Sequence, residues 1–189
     1  MTERGNGVNV AIIGAGPGGL MAADVLSAAG ATVTIFDQMR SPGRKFLLAG
    51  RGGLNLTHSE PLDQFLNRYG PDRAFLEAAI RTFDPDALRR WCLDLDEATF
   101  IGTSGRVFPE SFRATPLVRS LLVRLTERGV AFRMQHQWTG WDDRGALTFL
   151  DADRSPVLFR PGGTILALGG ASWPGTGSTA GWEIGRAHV

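Results

Sequence analysis

The sequence predicts an α/β fold in which a central parallel sheet, crossed by helices, is joined by an antiparallel β-meander. Three observations carry that expectation. An apolar strand, a glycine turn, a small apolar helix and a second strand follow one another between residues 8 and 37, which is the βαβ pattern of parallel strands with a right-handed crossover. A further apolar run at residues 164–168 also empties into glycines. Between the two, residues 135–160 alternate short β runs with turn sequences such as Asp142-Asp143-Arg144-Gly145, the pattern of a meander.

Taken in order, residues 8–13 (VNVAII) read as a short buried strand. Leu20, Met21, Ala22, Ala23, Val25, Leu26, Ala28 and Ala29 make the helix that follows, with Gly30 as its C-terminal cap. Residues 31–36 are the second strand, ending at Asp37. Residues 41–57 (SPGRKFLLAGRGGLNLT) carry too many glycines for a stable helix and alternate too little for a strand, so an ordered loop is expected. Helices are predicted at 61–69, 72–83 and 85–95; in the last, Asp84 caps, Pro85 takes the first helical position, and Leu88, Trp91, Cys92 and Leu95 share an apolar face. Residues 100–109 read as a hairpin turning at Ser104-Gly105. Thr115-Pro116 starts a helix lined by Leu117, Val118, Leu121, Leu122 and Leu125 and closed by Gly129, and 130–134 is the next strand. Residues 164–168 are expected as a buried strand.

Composition narrows the function classes. Twenty Lys and Arg against 19 Asp and Glu leave a formal charge of +1, which offers no basic field for nucleic acid. No apolar run approaches the roughly 18 residues that span a bilayer, and 8–13 is too short and wrongly flanked for a signal peptide. A cytoplasmic protein with no membrane partner is expected. The single cysteine, Cys92, excludes an internal disulfide framework and a cysteine-based zinc cage. On its apolar helix face it reads as a core residue. His58, His136 and His188 lack metal-ligand spacing, so no metal is expected, and His136 is expected on a strand surface. Asp84, Asp86, Asp94 and Asp96 read as caps and solvated acids.

The chemistry lies in the glycines, 25 of the 189 residues. In Gly14-x-Gly16-Pro17-Gly18-Gly19 the first glycine permits a tight turn, Gly16 lets the backbone approach a pyrophosphate, and Gly19 lets helix pack on strand. Helix N-terminal amides and the helix dipole would then face the phosphates. Asp37 lies 18 residues past Gly19, close to the spacing of about 20 at which an acid accepts ribose hydroxyls. This motif alone admits both NAD and FAD. Two glycine-bearing strand ends pointing the same way place one ligand along the carboxyl edge of one sheet.

The segments VAIIGAGPGGLMAA, GRKFLLAGRGGLNLTHSE and LALGGASWPGTGS together resemble the HI0933-like, or aminoacetone-oxidase-like, family of FAD-dependent oxidoreductases. The family's second motif reads roughly G-[RK]-K-x-x-x-S-G-G-G-R-C-N-x-T-N. Gly43, Arg44, Lys45, Gly50, Gly52, Asn55 and Thr57 fall on it; Ala49, Arg51, Gly53, Leu54 and His58 depart from it, so its Arg-Cys pair is replaced by Gly53-Leu54. The resemblance implies a Rossmann-like FAD-binding domain of the two-dinucleotide-binding-domain type. Lys45 and the backbone donors from Gly50 through Arg51 and Gly52 to Gly53 would neutralise the diphosphate and approach the flavin, with Asn55 and Thr57 as neutral hydrogen-bonding groups and Arg51 in place of the displaced arginine. Ala167-Leu168-Gly169-Gly170 resembles the Ala-Thr-Gly-Gly motif that closes over the cofactor, with Leu168 in place of Thr. The resemblance also implies a backbone contact to adenine at Trp138, for which a core tryptophan is the competing reading. Arg106 and Arg113, flanking a stretch that resembles a family segment near the flavin, read either as anchors for an anionic substrate or as surface residues.

Family members run to about twice this length, so residues 1–182 are expected to be the amino-terminal part of an FAD-binding domain, without the substrate domain and the final segment that completes the site. Residues 183–189 (EIGRAHV) match a translated sequencing adapter and are expected to be a non-native tail. The expected activity is hydride or electron transfer through a flavin between a small-molecule substrate and oxygen, NAD(P)H or another partner, with this chain alone not competent for turnover. The competing readings are an NAD(P)-dependent dehydrogenase and a non-catalytic nucleotide-binding module. No catalytic acid or base is identifiable.

Overall fold

The computed structural model describes residues 7–49 and 52–170. In chain order they form β1 (Asn9–Ile13), α1 (Pro17–Ala28), β2 (Thr32–Asp37), α2 (Arg44–Ala49), β3 (Thr57–His58), α3 (Leu62–Asn67), α4 (Arg73–Thr82), α5 (Pro85–Leu93), β4 (Thr99–Ile101), β5 (Arg106–Pro109), α6 (Ala114–Glu127), β6 (Ala131–Met134), β7 (Gln137–Trp141), β8 (Leu147–Leu150), β9 (Pro156–Phe159) and β10 (Gly163–Leu166). The chain divides into two compact units, Met1–Phe46 with Leu121–Val189, and Leu47–Ser120.

The first unit holds a four-stranded parallel sheet in the order β10-β1-β2-β6. Ala11, Ile12, Val33, Ile35 and Phe36 of the two central strands are buried, because a parallel strand flanked by others and covered on its faces exposes no side to water. Gly30 ends α1 in the left-handed region at φ +84°, and the Ala31 N–H closes the helix on the Leu26 carbonyl at 3.0 Å. Asp24, buried on α1, pairs with Arg128 at 2.7 Å and Arg124 at 3.6 Å. The meander β7-β8-β9 is antiparallel, and its first turn is built by the Asp142 carboxylate accepting from the Arg144 and Ala146 N–H groups with Gly145 at φ +75°. Leu147 and Phe149 of β8 form one apolar cluster with Ala11, Ile13 and Phe36. The Phe36 and Phe149 rings stack at 4.2 Å between centroids.

The second unit contains α3, α4 and α5 with a three-stranded antiparallel sheet, β3-β5-β4. Asp84 caps α5 through the Ala87 N–H at 2.7 Å. The expected hairpin is β4-β5, turning through Gly105 at φ +77°. Cys92 is fully buried, and burial, followed by the nearby Glu97 carboxylate, pushes its thiol up to about 12.

Three expectations are corrected. Residues 41–57 are not simply a loop: α2 occupies the glycine-free RKFLLA segment, and Leu56 donates its N–H to Val107 at 2.9 Å while Thr57 pairs with that residue as β3. Residues 164–168 are not a buried strand, since Gly163–Leu166 alternates half-buried with exposed positions and Leu166 is 44% exposed. Among the described residues β10 is an edge strand, so no neighbour covers it on one side. His136 lies between β6 and β7 rather than on a strand, where its Nδ1 bonds the Met134 carbonyl at 2.9 Å and its ring meets Phe36 edge-on.

Candidate functional site

The carboxyl ends of β1 and β10 lie side by side in the first unit, as the two glycine clusters require. Gly14 leaves β1 at φ +114°. Its N–H donates to the Phe36 carbonyl at 2.7 Å, and the Ala167 N–H donates to Ile13 at 2.8 Å, which binds the turn to β2 on one side and to the exit of β10 on the other. A Cβ on Gly14 would collide with the Ala167 carbonyl. One on Gly19 would collide with the carbonyl oxygen of Gly14. These two glycines are demanded by the protein's own packing.

Gly16 and Gly18 differ. Gly16 has an ordinary extended conformation, φ −80° and ψ −176°, and caps α1 without a side-chain hydrogen bond. A Cβ on either residue would meet nothing within 4 Å. The protein therefore does not need glycine there, and the open space faces the N-terminus of a 12-residue helix led by Pro17, where N–H groups and the helix dipole favour an anion. Asp37 ends β2 beside this turn: its Oδ2 accepts from the Ala15 N–H at 2.7 Å and its Oδ1 from the Met39 N–H at 2.8 Å. The Ala15 carbonyl accepts from the Gly43 N–H at 2.8 Å, so Arg44 and Lys45, opening α2, follow directly from a residue anchored on the glycine turn. The Arg44 Nε is buried and has no hydrogen-bond partner among the described residues.

At the second strand exit, Gly169 is left-handed at φ +71° and Gly170 faces open space. Leu168 packs on the apolar cluster that contains Ile13 and Phe36, so a residue there serves the core as well as the strand exit. Trp138 packs on that same cluster and meets Trp141 edge-on at 4.7 Å. Its indole N–H is buried with no acceptor among the described residues.

Gly52, Asn55 and Thr57 belong to the second unit. There Gly53, at φ +106°, lies under the Phe112 ring with no room for a Cβ; Leu54 is buried and Asn55 exposed. Arg106 and Arg113 are exposed. His58 uses both ring nitrogens within this unit, Nδ1 accepting from the Glu60 N–H at 3.2 Å and Nε2 meeting the Ser104 carbonyl at 3.1 Å. Gly50, Arg51, the rest of the third cluster from Ala171 onward, His188 and residues 183–189 lie outside the described residues. No group of three or more metal-ligating side chains occurs among the described residues, and no helix there is long and apolar enough to cross a membrane.

One contributor goes unassigned by the sequence motifs: Ala15, the variable residue of Gly14-x-Gly16, which is clamped at both its N–H and its C=O. Its partner Gly43, at φ +70°, falls on the second motif. The Pro42-Gly43 dipeptide marks a turn at that point, yet nothing in its spacing ties it to Ala15.

Comparison with known protein families matches residues 8–187 to the HI0933-like protein Rossmann domain. The chain belongs to that family. It is a family of FAD-dependent oxidoreductases, and the matched stretch takes in both glycine turns described above. Solved structures with the same fold include a 3-ketosteroid-Δ4-(5α)-dehydrogenase from Rhodococcus jostii RHA1 in complex with 4-androstene-3,17-dione (TM-score 0.62, 16% identity, covering 100% of this chain and 50% of that one). THI4 from Thermovibrio ammonificans (TM-score 0.56, 15% identity, 96% and 63%) and AlpK (TM-score 0.51, 19% identity, 87% and 32%) share it too. The chain thus spans between about a third and two-thirds of these solved chains.

Proposed function

We propose that this chain binds FAD and forms the amino-terminal, cofactor-holding part of an oxidoreductase in which hydride or electrons pass through the flavin. The observation that carries the reading is the split among the glycines of one turn. Gly14 and Gly19 are required by neighbouring backbone, whereas Gly16 and Gly18 guard empty space at a helix N-terminus. A residue without a side chain that the fold does not need is best explained by a ligand that approaches the backbone.

The residues fit a dinucleotide. Backbone N–H groups at the start of α1 would hold the diphosphate, and Arg44, with an unsatisfied buried Nε, adds a guanidinium suited to phosphate oxygens. Lys45 contributes positive charge beside Arg44 at the start of α2. Asp37 has about four lone-pair sites on its two oxygens; two backbone N–H groups use part of that capacity and leave the rest for ribose hydroxyls. Ala167, Leu168, Gly169 and Gly170 would close over the cofactor from the β10 exit. The family motif extends the assignment to Gly50, Arg51, Gly52, Asn55 and Thr57. Bound flavin supplies the redox chemistry; the protein binds and orients it. A small-molecule substrate and NAD(P)H are the proposed partners.

Visible absorbance after reconstitution tests the reading. The purified chain, incubated with FAD and desalted, should retain a yellow, flavin-type spectrum, and Arg44→Gln should retain less than the wild type. A colourless wild-type protein that instead retains NAD would overturn the assignment.

A further inference from the structure

We propose that Asp37 is a positioning residue that holds the phosphate turn in its binding shape, so that one carboxylate sets both the ribose end and the diphosphate end of the site. The proposal rests on the dinucleotide reading above and adds to it a role that needs no ligand.

In a regular strand, successive N–H groups point toward opposite neighbours. Here the consecutive N–H groups of Gly14 and Ala15 both turn toward β2, the first to the Phe36 carbonyl at 2.7 Å and the second to Asp37 Oδ2 at 2.7 Å. The left-handed rotation at Gly14, φ +114°, produces that change of direction. Ala15 is 2% exposed, so water offers its N–H little alternative, and a buried donor needs a partner. The carboxylate supplies it with a charge-assisted bond where the strand ladder has ended.

The other oxygen fixes the carboxylate itself. Asp37 Oδ1 accepts from the Met39 N–H at 2.8 Å, a local loop that limits the rotamers open to the side chain. On the far side of the same residue the Ala15 carbonyl is held by the Gly43 N–H. Ala15 is thus a junction: Asp37 fixes it toward β2, and Gly43 joins it to the segment that opens with Arg44. Loss of the carboxylate would free the turn whose amides and neighbouring guanidinium would receive the diphosphate.

The test compares ADP with 2′,3′-dideoxy-ADP, which has the diphosphate but no ribose hydroxyl for a carboxylate to bind. Binding to the full 189-residue chain is measured for the wild type, Asp37→Ala and the near-isosteric Asp37→Asn. A turn-positioning role predicts that Asp37→Ala weakens dideoxy-ADP as well as ADP, each about tenfold or more, with Asp37→Asn in between because one oxygen remains. A role confined to the ribose predicts unchanged dideoxy-ADP affinity in both variants, which would overturn the proposal. Hydrogen exchange at the Ala15 amide decides the point without any ligand: protection in the wild type and its loss in Asp37→Ala, with Asp37→Asn in between, supports the clamp, while equal exchange in the wild type and Asp37→Ala refutes it. If wild-type protein binds neither nucleotide but the exchange result holds, the dinucleotide reading fails and the positioning role stands.

Discussion

Gly14→Ala and Gly16→Ala change one hydrogen into one methyl, two residues apart in the same turn, and should have opposite consequences. At Gly14 the added Cβ would collide with the Ala167 carbonyl oxygen and lie 2.8 Å from its carbon, at a backbone φ of +114°. Conformational strain of about 1–3 kcal/mol and overpacking of about 1–3 kcal/mol sum to roughly 2–6 kcal/mol. With about 2–4 °C lost per kcal/mol in a domain of this size, the melting temperature should fall by at least about 4 °C. At Gly16 the φ of −80° suits any residue and the Cβ meets nothing within 4 Å. The slightly poorer cap that alanine makes is offset by a gain of about 0.4–1 kcal/mol from the less flexible unfolded chain, so stability should change by less than about 1 kcal/mol. FAD affinity, in contrast, should fall tenfold or more, which is about 1.4 kcal/mol, because the methyl enters the open space where the pyrophosphate is proposed to sit. Thermal unfolding without ligand and flavin-fluorescence titration read the two effects separately. A Gly16→Ala protein that is badly destabilised, or one that binds FAD as the wild type does, would refute the division between glycines the fold needs and glycines the ligand needs.

Asp24→Ala should cost about 1–3 kcal/mol, less than the range for a fully buried pair because Arg124 and Arg128 keep some contact with water; chemical denaturation checks it, and an unchanged midpoint would count against the pair. Cys92 should resist thiol reagents in the native protein at pH 8 and react on unfolding, since burial holds its thiol protonated up to about 12. From about pH 9 upward the thiol ionises in the unfolded chain and not in the folded one, so stability should fall with rising pH by up to about 1.4 kcal/mol per unit. Denaturation at pH 8 and pH 10 should show a smaller decline for Cys92→Ala than for the wild type. Equal declines would remove the thiol from the cause.

The parts of the fold that were legible in the sequence are those specified by short-range signals. The run VNVAII, the glycines that follow it and the apolar face of α1 specify a βαβ unit within one segment, and β1 pairs with β2 in parallel as that unit demands. The cap at Asp84 and the turn at Asp142 were legible because a carboxylate two to four residues from an N–H has few other uses. What stayed hidden was non-local. Residues 41–57 look glycine-rich when averaged, yet the six residues of α2 contain none. The pairing of Thr57 and His58 with β5 joins segments nearly 50 residues apart, and no local pattern announces it. The strand at 163–166 is as apolar as a central one, and only its place in the sheet order exposes Leu166. In the site, spacing selected Gly14, Gly16, Gly19 and Asp37, but the hydrogen bond from Ala15 to Asp37 spans 22 residues and depends on the turn that Gly14 makes.

Ligand-induced thermal stabilisation tests the central claim most directly. A ligand that binds only the folded chain stabilises it by about 2.7 kcal/mol at a concentration one hundred times its Kd, which is roughly 5–10 °C for a chain of this size. The account predicts a concentration-dependent rise of the melting temperature with FAD, reduced when Gly16 is replaced by alanine and larger than any rise with NAD or NADP at the same concentration. A melting temperature that FAD leaves unmoved, or that NAD or NADP raises further than FAD does, would contradict it.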